Sequence, residues 1–390
     1  MKSLIIIALS YTNALAAICI NFYLMSTLSL VQFGYWSYTN SAAGILGIAC
    51  SFGLPKYLMS CVSKTDRSLS REFTIGAIAS LIVVMILSPL LPTQSTNLLI
   101  VLSVSFIINE YSYIVAQTSQ STRLISIALL TSTFTRCSLL FLFIYSSNST
   151  DDIFSLITHA VSIQLLFQFL CYILILINQK NTFSIMDKKL FSEYSPQKNI
   201  QYLITGLTSN ASNHFIIFIT SMNSTLLGAE INIFILITNI ITLLPGSLFT
   251  RLIDYRYQVR FERSQFKFRD ELNKTIALYI IGFSLAILGL KSFFLIAAQL
   301  KIDVGNIINV NIIILTMFIA VRFSQFPFSS LMNVQSNIKY KNIILLAYIG
   351  AFSTLSIILE NLTLTMIICI LLTLECLKIL AYATWLAIAR

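Results

Sequence analysis

Residues 153–199 read IFSLITHAVSIQLLFQFLCYILILI and then NQKNTFSIMDKKLFSEYSPQKN: an apolar run closed by a break holding Lys180, Asp187, Lys188, Lys189, Glu193, Pro196 and Lys198. About 20 apolar residues in a helix cross the ~30 Å hydrocarbon core of a bilayer. Runs of the same kind stand before this one at 4–26, 38–60, 73–91, 98–120 and 124–146. After the break they recur at 200–221, 228–250, 275–298, 304–327, 341–359 and 363–387. The expected fold is therefore an all-α polytopic membrane protein of about twelve transmembrane helices, six on each side of the break.

Charge placement orients the spans, because short loops rich in Lys and Arg stay in the cytoplasm. With both termini inside, the inner segments hold Lys2, Lys64, Arg67, Arg71, Arg123, Lys180, Lys188, Lys189, Lys198, a cluster from Arg251 to Lys274, Lys339, Lys341 and Arg390. The outer gaps hold only Lys291 and Lys301 as cations, beside Asp151, Asp152, Glu230, Asp303 and Glu360. Both termini are expected in the cytoplasm of a bacterial inner membrane. Met1-Lys2 and the run ending Ala14-Leu15-Ala16 imitate a signal peptide. The apolar character continues to Met25, however, and the charge alternation needs this run as the first span.

The 390 residues are 57% hydrophobic and 10% charged, which leaves no room for a sizeable water-soluble domain. A net charge of +10 suggests nucleic acid in a soluble protein. Here the cations line short loops where anionic membrane lipids attract them, so no nucleic-acid partner is expected. The seven cysteines lie in or at the ends of apolar runs without CxxC spacing, as packing residues do, and no metal site is expected. No G-x-x-x-x-G-K-(S/T) loop is present and no cofactor is expected.

The break separates 1–177, an N-terminal six-helix bundle, from 200–390, a C-terminal one, with 178–199 as a cytoplasmic linker. Gly53-Leu54-Pro55 and Leu244-Pro245-Gly246 stand at matching places near the inner ends of spans two and eight, each before a basic loop. Two halves entering the membrane in the same sense make a parallel repeat, with a central cavity between the bundles as the expected site. From Arg251 to Lys274 charges alternate with aromatics, and Phe261, Gln265, Phe268 and Leu272 share a helical face, so a surface-lying extension of span eight is expected.

The segment from Met25 to Lys64 resembles the start of Wzx-type polysaccharide flippases of the multidrug/oligosaccharidyl-lipid/polysaccharide exporter (MOP) superfamily. In that family an F-G-x-(Y/W) element sits in an outer turn and a Gly-Pro kink closes the second span; Phe33-Gly34-Tyr35-Trp36 and Gly53-Leu54-Pro55 take those places. Where the family often carries Arg near the outer end of span one, this chain has Asn21-Phe22-Tyr23-Leu24. The resemblance implies a transporter rather than an enzyme, moving a polyprenyl-diphosphate-linked oligosaccharide from the cytoplasmic to the periplasmic leaflet by alternating access. It also implies an O-antigen polymerase and a chain-length regulator as neighbours in glycan assembly. A multidrug or cation antiporter of the same superfamily is the alternative. An O-antigen polymerase reading is disfavoured by the short outer gaps, and a nontransporting assembly partner by the buried charge.

Ionisable groups at membrane depth are costly and face a partner or a polar cavity. Glu110, Arg136, His214, Arg322, Glu375 and Lys378 lie within spans, and Lys56 and His159 nearer their ends. Arg322, Arg136, Lys378 and Lys56 are the candidate contacts for an anionic diphosphate. Glu110, Glu375, His214 and His159 are the candidates for ion coupling. Each has a plainer reading beside it. Glu110 and Arg136 stand at similar depth on neighbouring spans, where they neutralise each other if paired. Glu375 and Lys378, three apart, form a local pair, and Lys56 snorkels to the inner surface. Arg322 has no acid in the interior of its own span and needs a partner from another helix or a watery cavity.

Overall fold

Ser29 and Gln32 decide where the second helix begins. Gln32 donates its backbone N–H to Ser29 Oγ at 3.3 Å while Ser29 N–H reaches back to Gln32 Oε1 at 3.0 Å. This is a capping box, which satisfies two of the donors a helix N-terminus leaves open. The helix therefore starts at Leu30, about eight residues before the apolar run suggests. Phe33-Gly34-Tyr35-Trp36, expected in an outer turn, lies inside it with Phe33 and Trp36 buried. Gly34 is there for a close approach: a Cβ at this position would overlap the carbonyl oxygen of Thr225. Gly34→Leu is expected to lower folded yield in detergent, since backbone cannot swing aside as a flexible side chain does. Unchanged yield and melting temperature would show that the approach is relaxed in the membrane.

The computed structural model describes residues 2–55, 70–91, 95–118, 122–131, 135–146, 153–178, 196–210, 212–248, 268–299, 312–332, 337–359 and 362–388. Among these residues every regular element is helical. In chain order they are α1 (Lys2–Thr27), α2 (Leu30–Cys50), α3 (Ser70–Leu87) with a 3-10 turn (Ser88–Leu90), α4 (Thr96–Thr118), α5 (Thr122–Leu129), α6 (Thr135–Ser146) and α7 (Ile153–Asn178). Then follow α8 (Pro196–Thr205), a π-helical turn (Gly206–Asn210), α9 (Ser212–Asn223), α10 (Thr225–Leu248) and α11 (Phe268–Gln299). The chain ends with α12 (Ile312–Ser324), α13 (Phe326–Met332), α14 (Ile338–Ile358) and α15 (Leu364–Ile388).

Six of the described helices are long and apolar enough to cross a membrane, and α12 with α13, bent by 41° at Gln325, makes a seventh if counted as one span. Their outward faces are apolar. Ile75, Ile78, Ile82, Met85 and Ile86 of α3 are exposed, as are Leu166, Phe167, Leu170, Ile173, Leu174 and Ile177 of α7. Contiguous apolar surface on this scale requires lipid rather than water as its solvent. The protein is a multi-pass membrane protein.

Two compact units emerge, one of Met1–Leu24 with Thr39–His214 and one of Met25–Tyr38 with Phe215–Arg390. In the first, α4 packs along α7, with α3, α5 and α6 joining that pair. In the second, α12 is the hub, flanked by α10, α11 and α15, and α14 packs on α15.

Several expectations change in detail. Glu230, assigned to an outer gap, lies inside α10 and is buried. Lys291, assigned likewise, belongs to α11. Phe268 to Lys274, expected as the tail of span eight, form the first turns of α11, with Asp270 and Glu271 at the helix N-terminus and Lys274 on Glu271 at 2.6 Å. Carboxylates there complement the helix dipole, and this starts a new helix. Residues 249–267 lie outside the described residues, as do 179–195 of the linker. The two Pro-Gly elements also differ. Phe52 and Gly53 turn into the left-handed region at φ +52° and +66°, and the Gly53 Cα faces the Leu203 backbone too closely for a Cβ. Leu244 to Gly246 instead continue α10, which ends at Leu248.

Candidate functional site

In the second unit, α12 carries Arg322 in its last turn, one residue pair before the bend at Gln325, and α15 carries Glu375 and Lys378 one turn apart. The i, i+3 spacing puts the last two on one face. Glu375 and Lys378 form a close ion pair. Arg322 Nε stands 3.7 Å from Glu375 Oε1, and Tyr348 of α14 donates its hydroxyl to the same oxygen at 3.3 Å. The side chains of Glu375, Lys378 and Arg322 are 1%, 9% and 14% exposed. Aromatic faces complete the surroundings: the Arg322 guanidinium lies over Phe318 at 5.8 Å, and the Lys378 ammonium over Tyr348 at 4.9 Å. Rings shield cations from hydrocarbon while their quadrupoles attract them. The partner that Arg322 requires is thus Glu375 from another helix, and among the described residues two cations share this carboxylate.

The first unit has its own polar centre. Arg136 of α6 donates from Nε to Gln164 Oε1 at 2.7 Å and from Nη2 to Ser105 Oγ at 3.1 Å. Ser105 donates its own hydroxyl to Gln168 Oε1 at 2.9 Å. Phe106 lies under the guanidinium at 5.9 Å. Among the described residues, the hydrogen bonds of Arg136 therefore go to neutral oxygens, and the expected pairing with Glu110 is replaced by them. Glu110 is half-buried on α4, one turn beyond Phe106.

His214 stands near the start of α9, just after the π-helical turn, with its ring edge-on to Phe106 at 5.9 Å and pressed against Gly44 of α2. Its Nδ1 has no hydrogen-bond partner among the described residues. A π-turn inserts an extra residue per turn and commonly marks a functional position. His159 differs, being exposed on the face of α7 that also presents Leu166, Leu170 and Ile177. Lys56 lies outside the described residues. Among the described residues no group of three or more His, Cys, Asp or Glu side chains gathers as a metal site.

Sequence reasoning missed Ser105, Gln164, Gln168, Tyr348 and the burial of Glu230. Gln164 and Gln168 were legible: two amides at i, i+4 inside an otherwise apolar run must share one face and find polar partners there. Tyr348 carries no comparable signal, since tyrosine suits lipid-facing and buried positions alike.

No protein-family model matches the sequence, and no curated protein matches it. Among solved structures, the chain is similar to an outward-facing multidrug resistance MATE family transporter of the MOP superfamily, with TM-score 0.57 and 12% identity over 98% of this chain and 94% of that one. It is similar to a eukaryotic MATE transporter with TM-score 0.52 and 11% identity, over 100% and 94% of the two chains. An inward-facing MATE transporter of the MOP superfamily gives TM-score 0.50 and 13% identity over 99% and 97%. With nearly full coverage of both chains, the polytopic fold of these transporters is the fold of this protein.

Proposed function

We propose that this protein is a flippase that carries a polyprenyl-diphosphate-linked oligosaccharide from the cytoplasmic to the periplasmic leaflet of a bacterial inner membrane, with both termini cytoplasmic. The observation that supports this reading best is the local arrangement of cations: among the described residues Arg322 and Lys378 share Glu375, while the hydrogen bonds of Arg136 go to neutral oxygens. A diphosphate is the anionic part of such a substrate, and Arg322 offers a planar fork that fits phosphate oxygens in pairs. Lys378 adds a point charge beside it, and Arg136 and Lys56 are further candidate phosphate contacts. Taking each sugar hydroxyl unpaired into hydrocarbon costs about 4–8 kcal/mol, so the oligosaccharide needs a polar route while its lipid tail stays in the bilayer. No bond is made or broken. The free energy comes from an ion gradient, with Glu110 and His214 as the groups not engaged in the Arg322 cluster.

Deleting the protein is expected to make lipid-linked repeat units accumulate in the inner leaflet while glycosyltransferase activity persists. Loss of a polymerase instead leaves single repeats on the cell surface. Normal levels of lipid-linked intermediates and normal surface glycan in the deletion strain overturn the flippase reading.

A multidrug or cation antiporter is the second reading. The similar solved structures include multidrug resistance transporters, and Glu230 is a buried carboxylate of the sign that suits a cationic substrate. Increased sensitivity of the deletion strain to cationic amphiphiles, with surface glycan intact, decides for it.

A further inference from the structure

A guanidinium inside a membrane bundle keeps its charge, and it is stable there only if something opposes that charge. Around Arg136 the described hydrogen-bond partners are an amide oxygen and a hydroxyl, both neutral. The chain of hydrogen bonds that leaves Arg136 has a direction. The guanidinium can only donate, so Ser105 Oγ accepts from it and donates its own O–H to Gln168 Oε1. That leaves the other end of the Gln168 amide, Nε2, with two N–H donors and no hydrogen-bond partner among the described residues. Gln168 is 2% exposed, Ser105 1% and Gln164 0%. Water from bulk does not reach these groups freely, and an orphan donor at this depth marks an occupant that completes the site.

The sign of the occupant follows from what is missing. The position already has a fixed cation and a surplus of donors, and what it lacks is an acceptor carrying negative charge. Its size follows from the walls, because α4 and α6 both pack on α7 here and Phe106 covers the guanidinium. We propose that the first unit binds one small inorganic anion, of the size and charge of chloride, between Arg136 and the Nε2 end of Gln168. The anion offsets the Arg136 charge and takes the orphan amide protons, with the partly buried guanidinium forming the side through which it enters. The site lies where α4 and α6 meet α7 within one unit, and it leaves the Arg322, Glu375 and Lys378 cluster of the flippase reading untouched.

The test uses the full-length protein purified in detergent or nanodiscs, titrated with sodium bromide or sodium chloride against sodium gluconate at equal ionic strength. Halide binding to the folded state raises the melting temperature in a saturable way, and gluconate, too large for the site, does not. Gln168→Leu, which removes the donors, is expected to abolish that rise. Gln168→Glu supplies a carboxylate in place of the anion and is expected to be halide-independent, with a melting temperature matching halide-saturated wild type or above it. This second variant keeps the test decisive if the leucine variant folds poorly. Crystals grown in bromide are expected to show an anomalous peak beside Arg136. A wild-type protein with no halide-dependent rise, an equal rise in Gln168→Glu, or a preference for phosphate over halide overturns the proposal. Export assays play no part, so failure here leaves the flippase reading where it stood.

Discussion

Arg322→Ala is expected to abolish glycan export while membrane abundance stays close to that of the wild type. The reason lies in how Glu375 is held. Removing one partner of a buried pair is ordinarily severe because the other charge is left stranded. Here the carboxylate keeps Lys378 and the Tyr348 hydroxyl when the guanidinium goes, so a salt bridge and a hydrogen bond remain. The 3.7 Å separation between Arg322 Nε and Glu375 Oε1 is also longer than a charge-assisted hydrogen bond. Two such bonds to a diphosphate contribute about 1.5–3 kcal/mol each. Their loss lowers affinity by about a hundredfold or more. Arg322→Lys retains a point cation and is expected to retain part of the export. Surface glycan and membrane abundance must be measured on the same cells. Full export by the alanine variant ends the case for Arg322 as a phosphate contact, and parallel loss of abundance and export makes it chiefly a structural partner of Glu375.

How much of this was legible before the structure depends on the length scale of each signal. The apolar runs depend on sums over about twenty residues, and the helices α3, α4, α7, α14 and α15 fall on the runs at 73–91, 98–120, 153–177, 341–359 and 363–387. A window that long averages over local capping chemistry. Ser29-Leu30-Val31-Gln32 was readable as a capping box, yet its weight in a hydropathy sum is small, and the start of α2 was placed too late. The run at 228–250 already takes in Glu230, and the carboxylate was grouped with the outer gap on its charge alone, although it lies inside α10.

Breaks within runs were visible in part. Pro327 predicts the disruption between α12 and α13, since proline lacks the donor for the preceding turn. Gly206-Leu207-Thr208-Ser209-Asn210 has small and polar residues suited to an irregular turn, but nothing in it specifies a π-turn. Pairing across helices was the least legible level. The need of Arg322 for a partner on another helix followed from its own span, whereas the identity of that partner depends on which helices pack, and apolar runs do not encode this. For Arg136, equal depth suggested Glu110. The structure instead engages Gln164 and Ser105, because a position shared along the membrane normal says nothing of the angle around each helix.

Glu375 is where the largest loss of stability is expected. Two cations and a phenol converge on this one carboxylate, and it is 1% exposed. Glu375→Ala leaves Arg322 and Lys378 facing each other in a medium that solvates neither, with the Tyr348 hydroxyl stranded as well. Breaking a buried pair from one side costs about 3–5 kcal/mol in soluble proteins, and repulsion between two uncompensated cations adds to that here. Folded protein in the membrane is therefore expected to fall steeply, with export falling in proportion. Adding Lys378→Leu should recover part of the abundance, because it removes one stranded charge and its apolar side chain suits the site. The same Lys378→Leu change alone leaves the carboxylate with Arg322 and Tyr348, so its cost is expected to be smaller than that of Glu375→Ala. Melting temperatures of the purified single and double variants give the coupling directly as a double-mutant cycle. Equal stability of Glu375→Ala and wild type would mean that the cations already have another anion to hold them, and that Glu375 is not the keystone of the α12, α14 and α15 packing.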